Sequence, residues 1–148
     1  MQTIPLLPEF ASAGSDVLTP DQRRHCMSCI RGRDTKPERI VRSLVFRMGY
    51  RYRLHDRRLP GKPDLVFRGR RKVIFVHGCF WHTHDCRNGQ VKPKTNSDFW
   101  ESKRRRTQER DAENIAALEK AMWTSLIIWE CETKDAATLV KKLRKFLD

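Results

Sequence analysis

The feature that most restricts this chain is a ten-residue string in its middle: His77-Gly78-Cys79-Phe80-Trp81-His82-Thr83-His84-Asp85-Cys86. Its cysteines and histidines recur at ligand-like spacing. Zinc takes four borderline-soft donors in a tetrahedron, usually Cys and His. Two donors from a tight loop, with one or two from elsewhere, would clip that loop onto the body of the protein. Cys131 stands just past an apolar stretch ending Trp129-Glu130 and is the remaining cysteine in a structured region. Cys79, Cys86 and Cys131 supply three sulfurs. Spacing leaves the fourth ligand open among His77, His82 and His84. Buried free thiols with incidental histidines are the plainer alternative. Cys26-x-x-Cys29, beside His25 on an expected helix, is a half-site without a partner pair and is read as two unmodified cysteines of unassigned role.

The elements around the string follow from periodicity and caps. Residues 1–18 hold Pro5, Pro8 and Gly14 and little charge, and read as a flexible lead-in to a single domain over 19–148. Thr19-Pro20 starts a helix to about Ile30. Thr35-x-x-Glu38 has capping-box spacing ahead of Ile40, Val41, Leu44 and Val45, so a second helix runs to Met48-Gly49. Tyr50 to Leu54 alternates as a strand with one basic face. Leu59 to Pro63 is a turn, and Asp64 to Phe67 a short strand. Lys72 to Val76 is a strand rich in β-branched residues. Ser97 to Ala121 reads as a long helix, Ser125 to Trp129 as an apolar strand and Asp135 to Leu147 as a closing helix. This order of helices, three strands, helix, strand and helix predicts a mixed α/β sheet flanked by helices.

Charge narrows the partner. The chain has 31 Lys+Arg against 18 Asp+Glu, a net +13 over 148 residues. That excess favours DNA, RNA or an acidic membrane. No apolar run is long enough to span a bilayer, and the first basic residue is Arg23, so a cytoplasmic protein with no membrane partner is expected. Its five cysteines are then better read as thiols or ligands than as disulfides. Basic residues crowd Arg51 to Lys72 and Lys103 to Arg106, where phosphate contacts would supply affinity that falls with salt. Phe80-Trp81 lies in a polar loop, where a core role is less natural than for Trp129. Aromatic wedges of this kind enter between base steps and unstack them.

Pro63-Asp64 opens a strand, and a second strand returns to end at the Cys/His string. A carboxylate beside the end of a neighbouring strand is a good seat for Mg²⁺, which needs few protein oxygens. A histidine left over from zinc could serve as base for phosphodiester hydrolysis. The plainer reading makes Asp64 a turn residue and Glu38 only a capping glutamate.

These blocks together resemble the very short patch repair (Vsr) endonuclease family. The likeness is carried by Met27-Ser28-x-Ile30-Arg31, Asp34 to Glu38, Leu59 to Asp64 and Val73 to His82. Phe99-Trp100, Arg110-Asp111 and Trp129-Glu130-Cys131 extend it over roughly residues 22–147. The resemblance implies a restriction-endonuclease-like fold with a structural zinc on Cys79, His84, Cys86 and Cys131. It implies catalytic Mg²⁺ on Asp64 and on the backbone carbonyl of Val76, with Glu38 near the metal-bound water. His82 becomes the general base, oriented by Asp111 much as a carboxylate orients a triad histidine, with His77 in support. Phe80, Trp81 and Trp100 become a wedge beside the mismatch, with Met27 and Lys103 as further DNA contacts.

The implied activity is a nick 5′ to the T of a T:G mismatch left by deamination of 5-methylcytosine, in double-stranded DNA. Expected partners are mismatch-repair proteins and a cognate cytosine-5 methyltransferase system, and the chain is expected to be a monomer. Val76 stands where some relatives have Thr, and Thr107 where they often have Asn. Two other readings suit the same residues: a restriction-type endonuclease on unmodified sites, and a zinc DNA-binding protein without catalysis.

Overall fold

The computed structural model describes residues 19–22 and 34–148. Residues 20–22 are helical at the expected first helix. The rest of that helix, the lead-in, Met27 and the Cys26/Cys29 pair lie outside the described residues.

Helix α1 (Lys36–Arg47) starts as its sequence demands. Thr35 Oγ1 accepts from the Glu38 N–H at 3.4 Å, and the Glu38 carboxylate accepts from the Thr35 N–H at 3.3 Å. The sheet follows as β1 (Arg53–Leu54), β2 (Leu65–Phe67), β3 (Lys72–His77) and β4 (Thr124–Trp129), in spatial order β1-β2-β3-β4. The first two pairings are antiparallel and β3–β4 is parallel, running from Lys72↔Thr124 to His77↔Trp129. A parallel pair needs a long crossover, supplied here by helix α2 (Ser97–Lys120). Helix α3 (Ala136–Leu147), capped by Asp135, closes the chain. The expected basic strand is shorter than its alternation suggested, because only Arg53 and Leu54 find ladder partners.

Strand alternation sorts the core onto two faces. Leu65, Phe67, Ile74 and Ile128 pack with Val41 and Val45 of α1 and with Leu139, Leu143 and Leu147 of α3. Val66, Val73 and Phe75 pack on the opposite face with Leu118 of α2. Each fully buried aliphatic contributes about 1.5–3 kcal/mol. The same parity decides the site: His77 follows Val73 and Phe75, so it emerges on the α2 side, at the end of β3.

Several basic residues expected to face DNA are engaged within the fold. Arg70 and Lys72 donate to the carbonyls of Leu147 and Phe146 at the C-terminus of α3, and Arg71 to those of Ala121 and Met122 past α2. Cations there meet the negative end of a helix and its unpaired carbonyls. Arg58 and Arg68 share Asp56.

Candidate active site

Two clusters hang from the β3 end of the sheet. In the first, ligand atoms of Cys79, His84, Cys86 and Cys131 lie within 4.8 Å of one another. Cys131 Sγ and His84 Nδ1 are 3.5 Å apart, about the edge of a tetrahedron with zinc–ligand bonds of roughly 2.0–2.3 Å. The parallel register brings Cys131, just past β4, beside the loop after β3. His84 stacks on Trp129 at 4.1 Å between ring centres. Burial pushes the Cys79 thiol up to about 12, and crowding by Cys86 and Cys131 adds to it. Burial also raises Cys131. The raised Cys79 and Cys131 thiols resist ionising where they stand, and a bound metal reverses that penalty. The donor set therefore fits a metal, and His84 is the histidine that joins the sulfurs.

The second cluster lines an open cleft of about 580 Å³ between α1, the β1–β2 connection, the end of β3 and α2. Asp64, at the mouth of β2, has Oδ2 fixed by the Val76 N–H at 2.6 Å. Burial pushes this carboxyl up to about 7, and the neighbouring Glu38 carboxylate adds to the shift; the Val76 N–H and Arg42 oppose it. Such a pair of crowded carboxylates is relieved by a cation, so these residues fit a hard metal ion.

Across the cleft, His82 Nδ1 lies 2.5 Å from Asp111 Oδ2 on α2. The His82 ring stacks on His77, with centres 3.7 Å apart and planes 6° from parallel. His77 is buried, and that burial, with His82 beside it, pushes its imidazole down to about 4. It is therefore neutral at pH 7. His82 is spared from the sulfur cluster and joined to the cleft.

Glu38 has two places in the fold: it closes the capping box and it lines the cleft, almost fully buried. Gly61 ties the Pro60–Pro63 turn to α2. Its φ is +77°, and a Cβ there would meet Asn114 Cβ at 3.0 Å, which reserves the position for glycine.

The aromatic residues form one cluster. Phe80 packs edge-on against Trp81 and Trp100, with ring centres 5.3 and 5.8 Å away, and Lys103 Nζ sits 5.1 Å over Trp81. Phe80 and Trp100 are 4 % and 6 % exposed, whereas Phe99, to which the sequence reading gave no role, is 58 % exposed beside them. Thr107 gives its hydroxyl to the Lys103 carbonyl at 3.0 Å. Arg104, buried in α2, donates to the carbonyls of Phe80, Gly89 and Val91 and so clamps the loop that carries these rings.

His55 and Arg42 were missed from sequence, although both belong to the cleft region. The β1–β2 register, Arg53↔Val66 and Leu54↔Leu65, continues so that His55 lies opposite Asp64. That pairing was the signal, and it needs the hairpin to be recognised.

Comparison with known proteins decides the family. The model of the family "DNA mismatch endonuclease Vsr" matches residues 15–88. The chain is 47 % identical over 134 residues to the type II nicking enzyme V.XorIIP of Xanthomonas oryzae pv. oryzae, covering 90 % of this chain and 98 % of that protein.

The chain belongs to the Vsr family.

It is 41 % identical to the type II nicking enzyme V.NmeAIP of Neisseria meningitidis, covering 90 % of this chain and 94 % of that protein. To the DNA mismatch endonuclease Vsr of Escherichia coli it is 42 % identical, covering 79 % of this chain and 74 % of that protein. As a Vsr-family protein it is a DNA endonuclease, and DNA is its substrate. The excess of positive charge and the open cleft suit that substrate. No helix among the described residues is long and apolar enough to cross a membrane.

Proposed function

We propose that this chain nicks one strand of duplex DNA 5′ to the T of a T:G mismatch, with Mg²⁺ in the cleft and zinc in the sulfur cluster. The observation that carries the reading is the His82–Asp111 pair: a histidine unused by the sulfur cluster, held by a carboxylate at 2.5 Å, in the same cleft as Asp64. The E. coli relative is named a mismatch endonuclease and others are named nicking enzymes. These names support mismatch nicking over double-strand cleavage of unmodified sites and over binding without catalysis.

Asp64 and the Val76 carbonyl hold the magnesium, which supplies charge stabilisation at the scissile phosphate. Glu38 borders the same site. His82 takes the proton of the attacking water, and Asp111 keeps the imidazole in the orientation and tautomer that leave Nε2 free to accept it. His77, neutral and stacked on His82, supports that ring. Cys79, His84, Cys86 and Cys131 hold zinc, which fixes the loop carrying Phe80 and Trp81. Trp81 leads the wedge beside the mismatch, with Phe80 and Trp100 behind it and Lys103 and Met27 as further contacts. A T:G wobble stacks less well than a Watson–Crick pair, so unstacking beside it costs less. We take residues 19–148 as one endonuclease domain acting as a monomer in the cytoplasm, after a lead-in of residues 1–18. It works with mismatch-repair proteins and the methyltransferase whose deaminated sites it repairs.

The test is a labelled duplex carrying one T:G pair, with a matched T:A duplex beside it, in Mg²⁺. A single nick 5′ to the mismatched T is expected. Equal cutting of the T:A duplex, or cleavage of both strands, overturns the reading.

A further inference from the structure

We infer that Arg57 and Lys62 form a phosphate clamp on the rim of the cleft, holding the phosphates that adjoin the scissile one on the nicked strand. The inference rests on the cleft being the nicking site.

The fold sorts the cations between Arg51 and Lys72. Arg51 lies over the Phe46 ring and donates to the Tyr50 carbonyl at 3.1 Å. Arg58 and Arg68 pair with Asp56 at 3.1 and 2.8 Å. Arg70, Arg71 and Lys72 donate to carbonyls at helix ends. That leaves Arg53, Arg57 and Lys62, whose side chains make no hydrogen bond or ion pair among the described residues. Arg57 and Lys62 line the cleft, and Arg53 does not.

Local structure explains why these two stay free. Asp56, next to Arg57 in the chain, would be its natural partner. Its carboxylate instead accepts from the Arg58 N–H at 3.0 Å and from the Arg58 and Arg68 guanidinium groups. Lys62 ends a tight turn in which its N–H donates to the Leu59 carbonyl at 3.2 Å. Pro60 and then Gly61, at φ +77°, occupy the central positions, the pattern of a type II turn. Gly61 packs on Asn114 of α2, and Pro63 is fully buried. The Lys62 side chain therefore leaves a fixed piece of backbone, itself in the left-handed region at φ +49°, which is uncommon for a residue with a Cβ. Both cations are exposed, so a phosphate can reach them with little desolvation.

Charge balance says what they meet. Three carboxylates, Glu38, Asp64 and Asp111, line the same cleft. Each strand of DNA carries a negative charge about every 3.4 Å of rise. A cation at Asp64 compensates the phosphate to be cut and leaves its neighbours facing an acidic wall. The free guanidinium and ammonium on the rim supply the missing charge. Phosphate contacts fix register and carry no sequence information. The clamp thus sets which bond meets Asp64 and leaves the choice of base pair to other contacts.

Single-turnover nicking of a T:G duplex in Mg²⁺, with enzyme in excess, gives the half-saturating enzyme concentration and the maximal rate at each salt concentration. Arg57→Gln and Lys62→Gln are each expected to raise that concentration about eightfold near 0.1 M salt. Each should lower the slope of its logarithm against log salt by about 0.9, the value for one phosphate. The double variant should lose about twice as much slope. Maximal rate should stay within about threefold of wild type, as for uniform binding, and Arg57→Lys and Lys62→Arg should restore the slope. A neutral methylphosphonate at one link beside the nick should weaken wild type by the same factor and leave the matching glutamine variant unchanged. Wild-type slopes in both variants overturn the proposal. So does full sensitivity of both variants to every neutral link beside the nick, or a fall in maximal rate with no change in slope. Asp64→Asn separates the two readings. Normal nicking by that variant refutes the cleft as the site, whereas a dead Asp64→Asn with wild-type slopes in both glutamine variants refutes only the clamp.

Discussion

The two clusters at the end of β3 are built from similar material and suited to opposite tasks. The sulfur cluster is closed: three thiols and an imidazole nitrogen lie within 4.8 Å of one another, with Trp129 stacked on His84. The cleft is open: its carboxylates and histidines face one another across solvent-accessible space, each held by a neighbour rather than by convergence on one point. A closed soft set holds shape, and an open hard set leaves room for a phosphate. Phe80, Trp81 and His82 all lie between Cys79 and His84 of the closed cluster, so the wedge and the catalytic histidine inherit their positions from it.

Removing the closed cluster is expected to have the largest effect. Cys131→Ala, or chelation of the metal, should cost more than about 5 kcal/mol of stability, since metal binding here is folding energy. Calorimetry with zinc analysis checks it, and an unchanged melting temperature in Cys131→Ala would refute that ligand. In the open cleft the losses should fall on rate instead. Asp64→Asn is expected to lower nicking about a thousandfold, several kcal/mol of charge stabilisation, while retaining one zinc and mismatch binding. His82→Ala should lose about a hundredfold or more, measured by single-turnover nicking, with melting near wild type.

The burial of Asp64 adds a contrast in pH. Its folded pKa of about 7 lies above the ordinary carboxylate value of 3.8, so the folded state binds more protons between those values. Stability from this group is therefore present below about pH 4 and lost as pH rises to 7. Metal-free Asp64→Asn should then melt above wild type at pH 8 and lose that advantage toward pH 4. An advantage independent of pH would show that Asp64 is not the group responsible. The smallest effect is expected at the wedge. Trp81→Ala should reduce the preference for T:G over T:A binding by about tenfold and leave plain-duplex affinity nearly unchanged. Equal losses on both duplexes would assign Trp81 to packing alone.

Much of this was legible before any coordinates. The cap at Thr35, the long helix, the closing helix and the β-branched strand ending at the Cys/His string all lie where local pattern put them, because caps and periodicity are short-range. The basic stretch from Arg51 to Lys72 was less legible. Arg70, Arg71 and Lys72 look like DNA contacts in a sequence and are helix-terminating donors in the fold. Glu38 was read as either a cap or a cleft residue, and it is both.

Local sequence alone determined the donors, the helices and the charge: residue type and near-neighbour spacing contain them. Spacing left open which imidazole joins the sulfurs, the family resemblance pointed to His84, and the fold brings it there; that His55 lies across from Asp64 with Arg42 behind it, only the tertiary structure decided. Those contacts depend on strand register and on the parallel β3–β4 pairing, joining residues far apart in the chain whose proximity no local pattern encodes.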